Sequence, residues 1–350
     1  MTLMSFDPTQ PDPTQPPEIS VIVPVHNGAA FLSECLKAVF ASENVSYECI
    51  VVNDGSTDRS AAIAREFAAR VVDVSEGPHG PAYARNRGAA AARGTILMFV
   101  DADLVLAPDA LERVANFFRD RSGFSAVFGS YDACPKAKGL VSQYRNLLHH
   151  FIHQNGNRDA STFWAGCGAV RRSAFAAIGG FDEQRFSRPS IEDIELGYRL
   201  RAAGHRILLD KKLQGTHLKR WSFFSLIRTD VISRALPWAR LILETRNLPN
   251  DLNLKVGQRA SFILAALACA FLVVSVARPE WLVMSAAALF GVVAVNRKLY
   301  RFFYRRKGVR FAAACVALHL MYYLYSGLSY VYAWVEFHLR RRTTMRSIAH

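Results

Sequence analysis

The chain has 350 residues, of which 51% are hydrophobic and 21% are charged, and its formal net charge is +14 at pH 7. This size and composition exclude a disordered chain and predict one large or two ordinary folded domains. The basic excess indicates an anionic partner. Its densest runs, 296–310 and 337–346, border very apolar segments, which favours a membrane surface. No nucleic-acid-binding motif is recognisable, so no nucleic acid is expected as a partner.

The two ends of the chain and its cysteines carry little functional signal. Residues 1–17 are rich in Pro, Asp, Thr and Gln, which predicts a disordered leader rather than a signal sequence. Six cysteines are scattered without a Cys-x-x-Cys pair. They indicate neither a disulfide scaffold nor a zinc site, and they favour a reducing compartment.

Residues 18–220 are predicted to form an α/β domain, because short apolar runs alternate with helical patterns. Such alternation predicts a mostly parallel sheet with helices on both faces and ligands beyond the carboxyl ends of the strands. The later part of the domain is less regular, with a Gly-Gly turn and a final amphipathic helix and strand. The first four strands are predicted within 19–25, 47–58, 70–76 and 95–104.

Beyond residue 220 the sequence becomes more apolar. Residues 221–257 predict amphipathic interfacial helices whose arginines reach lipid phosphates, or equally a surface helix packed on the domain. Residues 258–337 predict two or three transmembrane helices. The apolar runs 260–277 and 281–295 would form a hairpin, and 311–337 would either span the membrane or lie at its interface.

The basic residues predict the orientation of this membrane region. Residues 297–310 are expected in the cytoplasm by the positive-inside rule, which places the N-terminal domain there too. The predicted localisation is therefore a multi-pass cell-membrane protein with a cytoplasmic α/β domain. A third span would put Arg340–Arg342, in the basic tail 338–350, on the outside and against the rule.

Acidic residues follow two of the predicted strands. Asp101 and Asp103 end the fourth strand and point to the same side of an extended segment, where two carboxylates repel unless a cation lies beside them. Mg²⁺ or Mn²⁺ prefers such oxygen ligands, although a solvated turn would also explain the pair. Asp54 ends the second strand and is a candidate acceptor of hydrogen bonds from a nucleobase or a ribose.

Further candidates lie near the end of the α/β domain. Glu192 and Asp193 begin the final amphipathic helix, where acidic residues suit the helix dipole or supply a general base. His217 follows the last strand and is a candidate metal ligand. Arg220 and Trp221 are candidates for contact with a diphosphate and an acceptor, but such residues are also ordinary at an interface.

Taken in order, the motifs VIVPVHNG, VVNDGSTD, FVDADL, EDIELGYRL and HLKRW resemble those of the family 2 glycosyltransferases. The resemblance covers roughly residues 18–225 and implies a GT-A fold, a Rossmann-like domain that transfers sugars from nucleotide-diphospho-sugars. Membrane members such as ceramide glucosyltransferases carry (Q/R)-x-x-R-W at the last motif. Here Arg220 and Trp221 are kept but His217 stands first, which does not favour processive polymer synthesis.

The resemblance also implies roles for individual residues. Pro24, His26 and Asp54 would line the base and ribose pocket. Arg85 would lie near the nucleotide diphosphate, and Asp101 would face the nucleotide as the first residue of the D-x-D motif.

The remaining implied roles concern the chemistry. Asp103 would bind Mg²⁺ or Mn²⁺ with His217, and Asp193 would be the catalytic base, supported by Glu192. The predicted enzyme is an inverting, metal-dependent hexosyltransferase. Its predicted donor is a nucleotide-sugar, in the first place a UDP-sugar, and its acceptor a lipid or lipid-linked hydroxyl. The alternatives are a polysaccharide synthase-like enzyme and a non-catalytic nucleotide-sugar-binding membrane protein.

Overall fold

The computed structural model describes residues 16–67 and 69–348, with side chains up to residue 340. Most of the predicted leader and the last two residues of the predicted basic tail lie outside the described residues. The chain packs into two compact units. One unit runs up to Ser130 and includes Thr162–Leu218; the other combines Tyr131–Ser161 with the chain from Lys219 onward.

The first unit is built on a sheet that has eight strands within the described ranges, in the order β3-β2-β1-β4-β7-β6-β8-β5. Ile19 at the start of β1 pairs in register with Tyr47 of β2 and Ile96 of β4. The strands are β1 (Ile19–Val25), β2 (Tyr47–Asp54), β3 (Arg70–Val74), β4 (Ile96–Val100), β5 (Leu104–Leu106), β6 (Ala126–Tyr131), β7 (Cys167–Arg171) and β8 (Ile207–His217).

The sheet is mixed, which corrects the expectation of a mostly parallel one. β1 to β4 are parallel neighbours, but β7 runs antiparallel to both β4 and β6, and β5 runs antiparallel to β8. The sequence of β7 (Cys167–Arg171) contains Gly168 and Ala169, so it lacks the β-branched run that reveals a buried strand. At Gly168 a Cβ atom would lie only 2.4 Å from the Trp164 carbonyl oxygen, so packing requires this small residue.

Helices cover this sheet and place two functional segments. α3 begins with Pro81 in its first turn and packs on β1, where a Cβ at Gly88 would lie 2.4 Å from Ile22 Cγ2. α7 begins with three acidic residues in its first turn, as the helix dipole favours. The helices of the first unit are α1 (Ala29–Phe40), α2 (Ser60–Glu66), α3 (Pro81–Ala91), α4 (Ala110–Asp120), α6 (Arg172–Ala177) and α7 (Glu192–Ala202); α5 (Leu140–Gln154) belongs to the second unit.

The second unit is helical. α5 packs against α12 through a buried cluster that includes Tyr144, Leu147 and Phe303. A π-helical segment, Thr229–Ala235, joins α8 to α9, and Gly308 interrupts α12 with a φ of 81°. The remaining helices are α8 (Phe223–Arg228), α9 (Leu236–Thr245), α10 (Val256–Val274), α11 (Trp281–Val295) and α12 (Arg297–Ile348).

Within the described residues, two helices are long and apolar enough to cross a membrane: α10 and the part Arg297–Arg340 of α12. α11 is apolar but has only 15 residues. The predicted apolar hairpin is therefore present as two helices, α10 and α11, which pack against each other.

Candidate active site

The D-x-D segment lies where β4 ends and β5 begins. All five residues of β4 are buried, and the Leu104 amide donates to the Asp101 carbonyl oxygen at 3.0 Å to form the turn. β5 then pairs with the end of β8, with Leu104 opposite His217. This pairing brings Nε2 of the buried His217 to 3.4 Å from Oδ2 of Asp103.

The Asp103–His217 pair fits a divalent cation that is completed by a substrate. Neighbouring ligands of an octahedral Mg²⁺ at about 2.0–2.1 Å lie roughly 3 Å apart, close to the observed separation of the two donor atoms. Among the residues that the structure describes, no group of three or more His, Cys, Asp or Glu could hold a metal ion. Two protein ligands suit Mg²⁺ or Mn²⁺ shared with phosphate oxygens, a common arrangement at phosphate-transferring sites.

Arg85 connects the D-x-D segment to the acidic start of α7. Its guanidinium is buried and donates to Asp101 Oδ1 and to Glu192 Oε1, both at 2.9 Å. The other Glu192 oxygen accepts from the Ser190 amide at 2.9 Å. Arg85 thus joins two carboxylates that are 91 residues apart in sequence (192 − 101) and fixes their relative position.

Asp193 has the environment of a general base. Its Oδ2 accepts from the Ala165 amide at 3.1 Å, and its side chain is half-buried. Burial, followed by the charge of Glu192, raises the pKa of Asp193 to about 7, with Arg85 acting in the opposite direction. A carboxyl group with this pKa accepts a proton near neutral pH, which is what general-base catalysis requires.

The carboxyl ends of β1 and β2 bring Pro24, His26 and Asp54 together. The Asp54 carboxylate accepts from the amides of His79 and Gly80 at 2.8–3.0 Å, so it holds the loop before α3. Gly55 has a φ of 66°, and a Cβ there would lie 2.9 Å from the Gly77 backbone, so this close approach requires glycine. The role of Asp54 in positioning this loop is additional to the predicted contact with a ribose or base.

Hydrogen bonds at this edge define the tautomer of His26. Its Nδ1 lies 2.8 Å from the Asp54 carbonyl oxygen and must donate, and its Nε2 then accepts from the Asn27 side-chain amide at 3.2 Å. The Asn27 side-chain oxygen accepts from the Thr57 amide at 2.8 Å. These bonds connect the loops after β1 and β2, which explains why polar residues follow both strands.

Sequence reasoning missed two residues of this edge. His79 stacks on Tyr83 with ring centroids 4.5 Å apart, and its Nδ1 lies 3.4 Å from Asp54 Oδ1. A single histidine between Pro78 and Gly80 gives no periodic or motif signal, and only the folded loop brings it beside Asp54.

The predicted site residues are divided between the two units. The first unit contains the pairs and clusters described above, whereas Arg220 and Trp221 belong to the second unit. Trp221 is buried in the cluster around Tyr144, and its amide donates to Ser142 Oγ at 2.8 Å. Two cations flank its ring, Lys219 at 4.7 Å and Arg234 at 5.7 Å from the centroid. Arg220 is exposed.

Comparison with known proteins shows what the α/β part of the chain is similar to. Residues 20–179 match the model of the family described as Glycosyl transferase family 2. Glycosyltransferase GlyG of Streptococcus pneumoniae is 28% identical over 242 residues, which are 65% of this chain and 77% of GlyG. The uncharacterized glycosyltransferase EpsJ of Bacillus subtilis is 38% identical over 103 residues, 29% of this chain and 30% of EpsJ. The chain spans less than half the length of EpsJ and of several other curated relatives that it matches.

A solved structure supports the fold. The mannosyltransferase PcManGT from Pyrobaculum calidifontis, described in complex with GDP-Man and Mn²⁺, superposes with a TM-score of 0.55 at 19% identity, covering 92% of this chain and 89% of that one. The predicted GT-A-like α/β fold is thereby confirmed. Residues 20–179 are therefore similar to the family 2 glycosyltransferases, and the α/β unit has a GT-A-like fold.

Proposed function

We propose that the protein is an inverting glycosyltransferase. It transfers a sugar from a nucleotide-diphosphate sugar to a hydroxyl of a lipid or lipid-linked acceptor at the cytoplasmic membrane face. The observation that carries the proposal is the Arg85 bridge, which holds the D-x-D residue Asp101 beside the acidic pair Glu192 and Asp193. One site thus combines the D-x-D segment, whose Asp103 is a proposed metal ligand, with a base whose pKa is about 7.

In the proposed reaction Asp193 takes the proton of the acceptor hydroxyl as its oxygen attacks the anomeric carbon. The new glycosidic C–O bond forms while the bond from the anomeric carbon to the diphosphate oxygen breaks, so the configuration inverts. The electron pair leaves with the nucleoside diphosphate. Arg85 holds Glu192 in place, and the charge of Glu192 contributes to the raised pKa of the base Asp193.

Asp103 and His217 are the residues that would hold Mg²⁺ or Mn²⁺. When bound, the cation stabilises the negative charge that develops on the departing diphosphate. The presence of GDP-Man and Mn²⁺ in PcManGT is consistent with this assignment. We retain a UDP-sugar as the first donor to test, with a GDP-sugar as its comparison.

The membrane-associated acceptor rests on the second unit. Apolar helices α10 and α11 expose residues such as Val273, Val283 and Phe290, and a run of basic residues begins directly after α11. Cations beside an apolar segment favour an anionic lipid surface. The purified full chain, incubated with a panel of labelled nucleotide-sugars, Mn²⁺ and a membrane lipid extract, should transfer label to the organic phase. Binding of donors without transfer or hydrolysis would instead indicate a non-catalytic nucleotide-sugar-binding protein.

The rate of transfer should depend on pH through Asp193. Because its pKa is raised to about 7, the ionised fraction falls by about tenfold for each pH unit well below 7 and is nearly complete above 8. We therefore expect kcat/KM to rise towards neutral pH and to level off above it. Measurement from about pH 5 to 9 checks this, and a profile without an inflection near pH 7 would contradict the assignment of the base.

Replacing His217 with glutamine should weaken metal binding. Loss of one of two protein ligands is expected to raise the Mn²⁺ concentration for half-maximal activity by at least about tenfold, since even outer-shell partners of a metal contribute 10–100-fold. The matched control is His205→Gln, because His205 bonds to Ser125 Oγ at 2.8 Å in the same unit and has no proposed metal role. Equal metal dependence of the two variants would remove His217 from the metal site.

A further inference from the structure

The α10–α11 hairpin exposes a continuous apolar surface. Leu272, Val273 and Val276 near the end of α10, and Leu282, Val283 and Phe290 on α11, are each at least 53% exposed. The turn between the helices contains exposed Arg278 and Glu280, so the tip of the hairpin is charged. Exposed apolar side chains on both helices suit the hydrocarbon of a bilayer. The charged tip of the hairpin would then lie among the headgroups on the far side.

The other end of the hairpin is closed by a polar network. The Asn296 side-chain amide donates to Ser261 Oγ at 2.9 Å. The Tyr323 hydroxyl of α12 lies 2.8 Å from Asn296 Oδ1 and 3.0 Å from Gln258 Oε1. α12 therefore meets the hairpin at its base, at the first turn of α10 and the residue after α11.

One turn beyond Tyr323, α12 still contacts the beginning of α10. A Cβ at Gly327 would lie 2.0 Å from the Phe262 ring, so α12 is in close contact with the second turn of α10 there. α12 then packs along the π-helical segment and α9, while its contact with α11 is slight. The polar contacts of its C-terminal half are with the π-helical segment and α9 rather than with the hairpin.

Ionised groups accompany this half of α12. The Tyr325 hydroxyl donates to Asp230 Oδ2 at 2.7 Å, and Asp230 Oδ1 pairs with Arg234 at 2.9 Å and with Arg145 at 3.4 Å. The resulting cluster has two cations and one carboxylate. Such charges are costly at the centre of a bilayer, where no water solvates them.

A second group of ionised side chains lies further along α12. Glu336 accepts from Arg240 of α9 at 2.9 Å and from Arg340 at 2.7 Å. Tyr325 and Glu336 thus have ionised partners within the apolar run 311–337 that a span would need. Length and apolarity make this helix a candidate span, and Leu328, Tyr332 and Leu339 are exposed. Its contacts with ionised groups on another part of its surface are typical of an amphipathic helix that lies in the membrane interface.

We propose that the α10–α11 hairpin alone enters the bilayer and that α12 lies at the membrane surface on the side of the hairpin's base. This rests on the membrane attachment in the proposed function. α10 is about 28 Å long and α11 about 22 Å, against a hydrocarbon core of about 30 Å, which a locally thinned bilayer accommodates. Both basic runs, 297–310 and 340–342, then lie on one side, which removes the conflict with the positive-inside rule.

Cysteine labelling in cells tests this topology on the full chain. The exposed cysteines Cys134 and Cys269 are first replaced by serine and alanine, and the buried ones are kept. Single variants Arg278→Cys, Lys307→Cys and His350→Cys are then treated with a membrane-impermeant maleimide before and after permeabilisation. We expect labelling at position 278 in intact cells, and labelling at 307 and 350 only after permeabilisation.

The outcomes separate this inference from the proposed function. If positions 307 and 350 label on opposite sides, α12 crosses the bilayer and the inference is wrong; the same holds if 278 labels on the side of 307. If 307 and 350 both label in intact cells and 278 does not, the hairpin topology holds but the cytoplasmic orientation fails. Release of the protein by alkaline carbonate would overturn the membrane attachment on which both depend.

Discussion

Asp193→Asn is expected to lower kcat by about 10²- to 10⁴-fold, the usual contribution of a general base, and to leave donor affinity nearly unchanged. Asparagine has the shape of aspartate, and its side-chain oxygen can still accept the hydrogen bond from the Ala165 amide. It cannot take a proton from the acceptor. Initial rates with saturating donor and acceptor, together with donor binding measured by calorimetry, check both parts.

The matched control for this variant is Glu112→Gln, an exposed carboxylate in the first turn of α4. It removes one negative charge from a helix start of the same unit without touching the site, so its activity should equal that of the original protein. Full turnover by Asp193→Asn would exclude Asp193 as the base. A loss of donor affinity as large as the loss of turnover would show that the residue acts in binding instead.

Arg85→Met should destabilise the protein strongly and reduce activity. The guanidinium is the partner of buried Glu192 and of Asp101, and removing one partner of a buried ion pair typically costs about 3–5 kcal/mol. At roughly 2–4 °C per kcal/mol, the melting temperature in detergent should fall by about 6–20 °C. Thermal unfolding followed by intrinsic fluorescence, with turnover measured well below the transition, checks this.

Arg87→Met is the control on the same helix. Arg87 pairs with Glu183 at 3.1 Å, but its side chain is 44% exposed, so its loss should cost at most about 1 kcal/mol. The double variant Arg85→Met, Glu192→Gln should recover part of the stability, because the carboxylate left without its cation is then neutral. Equal melting temperatures for the Arg85 and Arg87 variants would contradict the proposed importance of the buried bridge.

Prediction of the fold succeeded where burial was continuous. The run Ile19–Val25 predicts its strand to the residue, because every position but one is buried and polar turn residues follow. Between 107 and 162 no element is predicted, although Leu111, Val114 and Phe118 have helical spacing; α4, β6 and α5 form there. The antiparallel insertion of β7 likewise depends on how Gly168 packs under Trp164, which is a tertiary contact without a local signature.

The proximity of two candidate site residues follows from the order of the strands. β1, β2 and β4 are parallel neighbours, so Asp54 and Asp101 had to follow strands that end at the same edge of the sheet. That Glu192 lies near Asp101 could be expected only from the family resemblance, because no spacing rule connects residues so far apart in sequence. The Arg85 bridge is an ion pair between residues far apart in sequence, and the donors to Asp54 are backbone amides of a loop. A pattern of side chains along the sequence reveals neither kind of contact.

The shared guanidinium of Arg85 makes the two acidic clusters thermodynamically dependent on each other. The negative charge of Asp101 contributes to the raised pKa of Asp193, so any positive charge that binds at Asp101 and Asp103 lowers that pKa. Reciprocally, loss of the Asp193 proton strengthens the binding of that charge by the same factor. Binding of such a charge therefore shifts Asp193, whose pKa is about 7, towards its ionised form at neutral pH. For the proposed enzyme, this coupling favours a mechanism in which the donor complex forms before the acceptor binds.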